Sequence, residues 1–163
     1  MTSTQYVEYR DQGFWAYDVA LGILLKHVID VATPLMAAPD NDWLASAVSD
    51  WRVPAAISDF GFTIDKDWSA SQLSVFIALF DRACRSLSER EAIDADEIES
   101  WTILDDLRLS SRGAPKVFTG PIVQLGRAII ALVDGSLPTP PSGTAWFYGV
   151  PQGRTTIGMR GDS

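Results

Sequence analysis

The sequence predicts a mainly α fold, a helical bundle of four or five helices with a small C-terminal β-hairpin. Apolar residues recur at three- and four-residue spacing through most of residues 1–135, and helix-start and helix-stop signals flank these stretches. Residues 144–163 instead contain short aromatic and β-branched runs, which favour strands. A chain of 163 residues fits one domain. We expect a helical domain over residues 1–135, and a proline-rich connection with the hairpin over residues 136–163, packed on that domain.

Two helices are predicted in the first third of the chain. The first covers residues 11–32, with Asp11 as its N-cap and Pro34 just beyond its end. It is apolar around most of its circumference, so we expect it at the centre of the core. The second covers residues 40–51, ends before Pro54, and carries two tryptophans on one face.

Capping signals place the later helices. Ser69 and Gln72 have the spacing of a capping box, which predicts a long helix ending near residue 88. Asp94 begins a short helix, and the Gly-Pro pair at residues 120–121 opens the last one, which ends at residues 134–135.

The sequence predicts connections and strands in the remaining segments. Residues 57–68 predict an irregular connection with at most a short extended piece. Residues 136–143, with three prolines, predict an extended linker. Residues 144–150 and 154–159 predict two strands joined by a short turn.

The charge of the chain bears on its partners. The net charge is −8 with a sequence pI near 4.5, so phosphate backbones are repelled and nucleic acid is not an expected partner. Residues 1–109 carry a net −11, whereas residues 110–163 carry a net +3. Such an acidic field favours a cationic partner.

The acidic excess is strongest over residues 89–106, which carry a net −7. Acidic runs are also common as solvated helix faces that aid solubility, so this alternative stays open. Large aromatic side chains can anchor an interface, and one tryptophan adjoins the acidic run while another lies in the hairpin. The predicted partner-binding residues are Asp94, Asp96, Glu97, Glu99, Trp101, Asp105, Asp106 and Trp146.

No cofactor, metal or membrane is expected. Cys84 is the only cysteine, which excludes an intrachain disulfide and a cysteine-rich zinc site and favours a reducing compartment. No secretory signal is evident at the start, and the longest apolar run, residues 19–25, is too short to span a bilayer. We therefore expect a cytoplasmic protein.

Catalysis is not expected either. His27 is the only histidine, and Asp30 lies one helical turn further on, so an oriented imidazole base is conceivable. No nucleophile motif accompanies this pair, and Cys84 falls on an apolar helix face. We predict a structural histidine and a protein that is not an enzyme.

These observations favour a small acidic domain that neutralises or sequesters a basic protein, such as a toxin. Bacterial immunity proteins and antitoxins have this character. One alternative is a structural or assembly subunit that self-associates through the C-terminal hairpin, for example as a homodimer. A less favoured alternative is a small hydrolase that uses His27.

Overall fold

The computed structural model describes residues 4–158. Of these, 50% are helical and 22% lie in strands, and the described chain forms five helices, a five-stranded mixed sheet and two small sheets. The fold is therefore α/β, and the prediction of a mainly α helical bundle is wrong. The main cause of the error lies in the first 17 residues.

The chain begins with an antiparallel hairpin rather than a helix. Strand β1 (Thr4–Tyr9) pairs with β2 (Gln12–Tyr17), and Arg10 and Asp11 form the turn with φ angles of 49° and 61°. Asp11, the predicted N-cap, thus occupies a left-handed turn position. Such turns usually contain glycine or asparagine, so the Arg-Asp pair gave no hairpin signal.

Two helices follow this hairpin. Helix α1 (Asp18–Ala32) ends where predicted, and two short 3-10 turns, Thr33–Ala37 and Pro39–Asn41, lead to α2 (Asp42–Ala56). Helix α2 continues through Pro54, beyond its predicted end at residue 51.

A buried glutamine fastens the end of α2 to the sheet. The Nε2 of Gln5, in β1, donates to the carbonyl oxygens of Pro54 and Phe60, at 2.9 and 2.6 Å. The two-residue strand β3 (Phe62–Thr63) then pairs parallel with β1, in the segment predicted to be largely irregular.

The capping box at the start of α3 (Ala70–Ser88) is confirmed. The backbone N–H of Gln72 donates to Ser69 Oγ at 3.2 Å, and the backbone N–H of Ser69 donates to Gln72 Oε1 at 2.8 Å. Both ends of this helix agree with the sequence pattern.

Short elements connect α3 to the last helix. They are β4 (Ala92–Asp94), α4 (Ala95–Ile98), β5 (Thr102–Leu104), β6 (Leu107–Arg108) and β7 (Lys116–Phe118). Strand β4 pairs with β7, and β5 pairs with β6, both antiparallel. Helix α5 (Thr119–Asp134) ends at Gly135, whose φ of 84° is the left-handed cap that the sequence predicts.

The C-terminal hairpin is confirmed as β8 (Thr144–Tyr148) and β9 (Thr155–Gly158); Met159, predicted to end it, lies outside the described residues. It does not sit beside a helical bundle. Strand β8 pairs parallel with β2, which gives the sheet order β3-β1-β2-β8-β9. The two ends of the described chain therefore share one sheet.

Helix α1 lies at the centre of the fold. Eleven of its 15 residues are buried, and it packs on α2, α3 and α5. The stretch Asp18–Ala37 is long and apolar enough to span a membrane by length and composition, but 56% of its most apolar window is buried inside the fold. This burial is consistent with the core helix of a soluble protein.

We expect the α3–α5 contact to tolerate no added methyl group. A Cβ at Gly126 would overlap Cys84 Sγ and lie 3.3 Å from Leu24 Cδ1. Gly126→Ala should lower the free energy of unfolding by about 1–3 kcal/mol through overpacking, despite the better helix propensity of alanine. Adding Cys84→Ala should recover part of this loss because it removes the sulfur. Urea unfolding of both single variants and the double variant tests the coupling, and strictly additive effects would contradict it.

Candidate functional site

The predicted acidic site is only partly available to a partner. Asp94, Asp96, Asp105 and Asp106 are exposed, and within residues 4–158 their carboxylates form no ion pair or hydrogen bond. They remain candidates for attracting a cation.

The two glutamates of the predicted site are already engaged. Arg90 donates two hydrogen bonds to the Glu97 carboxylate, at 2.7 and 2.8 Å, and these bonds lower the pKa of Glu97. Ser111 Oγ donates to Glu99 Oε2 at 2.9 Å. Part of the acidic run therefore stabilises the fold locally.

Trp101 is half-buried and already has a cation beside it. The Lys26 Nζ lies 5.0 Å from the centroid of the Trp101 ring, and the His27 ring contacts it edge-on at 5.6 Å. A partner would have to displace Lys26 to use this face, which weakens Trp101 as an anchor.

Trp146 is held in the hairpin. Its Nε1 donates to the carbonyl oxygen of Pro138 at 2.7 Å, and the Arg154 guanidinium lies 3.9 Å from its ring centroid. In the part of the chain that the structure describes, no hydrogen bond, ion pair or ring contact joins Trp146 to residues 89–106. The two predicted anchors thus have separate surroundings.

The conceivable His27–Asp30 base does not form. His27 Nδ1 lies 2.9 Å from the carbonyl oxygen of Ile23, whereas Asp30 forms an ion pair with Lys26. Burial lowers the pKa of His27, which favours the neutral form of the imidazole.

Cys84 is fully buried, and burial raises the pKa of its thiol to about 11. A thiol with this pKa is protonated at neutral pH and is a poor nucleophile. Among residues 4–158, no group of three or more histidine, cysteine or acidic side chains comes together as a metal site.

A second acidic region contains a cluster of three tryptophans. Trp43 and Trp51 lie two helical turns apart on α2, and Trp68 immediately precedes the cap of α3. The Trp68 ring lies 5.3 Å from that of Trp43, at an interplanar angle of 68°. It lies 6.5 Å from the ring of Trp51, at 76°. The Trp68 ring therefore meets both other rings at a steep angle.

These rings and three aspartates line one open pocket of about 380 Å³. Trp51 is only 3% exposed and contacts Phe76 in the core, so it is the most deeply buried ring, while Trp43 and Trp68 are half-buried. We call this the tryptophan pocket. Its six central residues are Trp43, Trp51, Trp68, Asp50, Asp65 and Asp67.

The charged residues that line the tryptophan pocket are all acidic. Asp50, Asp65 and Asp67 are exposed, and no lysine or arginine of residues 4–158 is among the lining residues. Lys66 lies between two of these aspartates in the chain, but it is not part of the lining. The backbone N–H of Asp67 donates to Asp65 Oδ1 at 2.8 Å, which shapes the loop.

The sequence pattern identified only one wall of this pocket. It placed Trp43 and Trp51 on one helix face, but it read residues 57–68 as a connection. The position of Trp68 depends on β3, which pairs with β1 more than 50 residues earlier and holds the following loop near α2. No local pattern reports such a pairing.

Family models, curated proteins and solved structures were compared with the chain, and none matches it.

We expect His27 to make stability depend on pH. Its pKa is lowered in the folded state, so below the ordinary value of 6.5 the unfolded chain binds more protons and the free energy of unfolding falls. The loss is at most about 1.4 kcal/mol per pH unit in that window. Urea unfolding between about pH 7.5 and about pH 5.5 measures it. His27→Gln should show a smaller decline, and parallel curves for the two proteins would refute this role.

Proposed function

We propose that this protein binds a basic protein and neutralises it, as an immunity protein or antitoxin does, in the cytoplasm. The observation that carries the proposal is the tryptophan pocket, where three indole rings and three aspartates converge and no basic side chain of the described residues lines the surface. Aromatic side chains supply binding energy on desolvation, and carboxylates select a cationic partner.

The exposed aspartates of residues 94–106 add a second role. A net charge of −8 attracts a basic protein over distances set by ionic strength, which raises the rate of association. Asp94, Asp96, Asp105 and Asp106 contribute to this attraction because they are exposed and none of them forms an ion pair in the described structure. In this proposal they steer the partner, and the tryptophan pocket holds it.

Self-association through the C-terminal hairpin is the second candidate. Strand β9 is an edge of the five-stranded sheet and pairs only with β8 among the described strands. An open edge can accept another strand. Sedimentation of the whole chain as a monomer would argue against this candidate.

The test of the main proposal is affinity capture from a lysate of the source cells at about 50 and about 200 mM salt, a range over which screening weakens charge-driven contacts. We expect a basic protein to be retained at low salt by the unaltered chain. The double variant Asp50→Asn, Asp67→Asn should lose the partner because it removes two negative charges from the pocket. The fold should be unaffected, since neither side chain forms a hydrogen bond within the described structure. The matched control Asp59→Asn alters an exposed aspartate that does not line the pocket.

A purified partner then separates the two roles. Asp94→Asn with Asp96→Asn should lower the association rate and its salt dependence, with a smaller effect on dissociation. Capture that is equal for the pocket double variant and for Asp59→Asn would overturn the assignment of the binding surface. Recovery of the chain alone would favour self-association.

A further inference from the structure

We propose that the tryptophan pocket recognises an alkylammonium group, carried either by a lysine side chain or by a free quaternary ammonium compound. This inference rests on the proposed function, because it names the chemical group that the same pocket accepts. The evidence for this chemical group is the geometry of the pocket, so its binding can be tested before the partner is known.

The arrangement of the rings is the first argument. The face of an indole ring attracts a cation through its quadrupole, and tryptophan does so more strongly than the other aromatic residues. Trp68 meets the rings of Trp43 and Trp51 at 68° and 76°. The two half-buried rings, Trp43 and Trp68, form the walls of a corner above the nearly buried Trp51, and a rounded cation in this corner can contact both walls. Recognition of quaternary ammonium groups by aromatic cages uses this arrangement.

The charge of the pocket is the second argument. Aromatic walls alone would accept any apolar group of the right size, but Asp50, Asp65 and Asp67 border the same space. None of the three forms an ion pair with a described lysine or arginine. By contrast, Lys26 already occupies the ring of Trp101 and Arg154 that of Trp146. The tryptophan pocket is thus an aromatic cluster with acidic neighbours and no cation of its own among the described residues.

Shape favours ammonium over guanidinium. A guanidinium group is flat, stacks parallel to one ring and is held best by two oxygens of one carboxylate. One oxygen of Asp65 already accepts the backbone N–H of Asp67, which makes Asp65 less suited to such pairing than Asp50 or Asp67. The steep angles between the rings also offer no slot between parallel faces. The volume of about 380 Å³ lies in the range of small-ligand sites, about 300–1,000 Å³, and so leaves room for a trimethylammonium group.

The decisive comparison uses choline and its uncharged carbon isostere 3,3-dimethylbutan-1-ol, titrated into the whole protein with tryptophan fluorescence and calorimetry as readouts. The two probes have nearly the same shape, so a difference in affinity reports the positive charge. We expect choline to bind about tenfold more tightly, given the usual strength of cation–π contacts. Equal affinities would overturn the proposal, because the pocket would then be merely apolar.

Matched variants locate the binding. Trp68→Leu keeps apolar bulk but removes the ring, and Asp50→Asn removes one charge from an exposed side chain; each should weaken choline binding about threefold or more. Trp15→Leu alters another half-buried tryptophan, and Asp59→Asn another exposed aspartate, and neither lines the pocket. If the control variants weakened binding as much as the pocket variants, the site would be wrong. Circular dichroism confirms that each variant is folded before titration.

Further probes distinguish the source of the group. Tighter binding of N-acetyl-lysine methylamide than of choline would indicate a lysine side chain, and the reverse order would indicate a free quaternary compound. Tighter binding of N-acetyl-arginine methylamide than of both would overturn the assignment to ammonium.

If choline binds in the pocket but no basic protein is captured, the proposed function fails and this inference stands. If a basic protein is captured through the pocket but choline and its isostere bind equally, the inference fails alone.

Discussion

The burial of α1 is the constraint on which the rest of the structure depends. A helix that is apolar around most of its circumference must be covered on nearly every side, and α2, α3, α5 and the end of β2 provide that cover. Only a narrow polar stripe containing Lys26, His27 and Asp30 stays partly open, and Trp101 lies over it. At the start of the helix, buried Asp18 pairs with Arg112, which ties the 110–113 loop to the core. Helix α2 covers α1 with one face, and residues on another part of its surface line the tryptophan pocket.

Elements with strong local signals could be predicted from the sequence. The capping box of Ser69 and Gln72 and the left-handed cap at Gly135 depend on neighbouring residues only, so α3 and α5 were placed almost to the residue. The N-terminal hairpin lacked such a signal. Gln5 interrupts the apolar alternation of β1, because it is buried and its Nε2 donates to the carbonyl oxygens of Pro54 and Phe60, far along the chain.

In the candidate site too, contacts within one helix could be predicted from the sequence, whereas contacts between distant segments could not. The two tryptophans of α2 share a face by helical spacing, which the sequence shows directly. Trp68 and its neighbouring aspartates reach them only through the parallel pairing of β3 with β1. In the acidic run, the sequence instead suggested a binding residue that is already paired. Glu97 was predicted to bind a partner, but Arg90, seven residues earlier, neutralises its carboxylate. Arg90 and Glu97 are separated by strand β4 and the start of α4, and no sequence rule predicts a contact across such a segment.

The parallel pairing of β2 with β8 has a consequence for synthesis on the ribosome. The pairs Trp15↔Phe147 and Ala16↔Tyr148 join segments separated by more than 130 residues. The hairpin of β1 and β2 emerges from the exit tunnel first, and its open side has no native partner until residues 144–148 have also emerged. Nascent chains stalled before that point expose a bare strand edge rich in aromatic residues, which is the kind of surface that chaperones cover and that aggregation exploits.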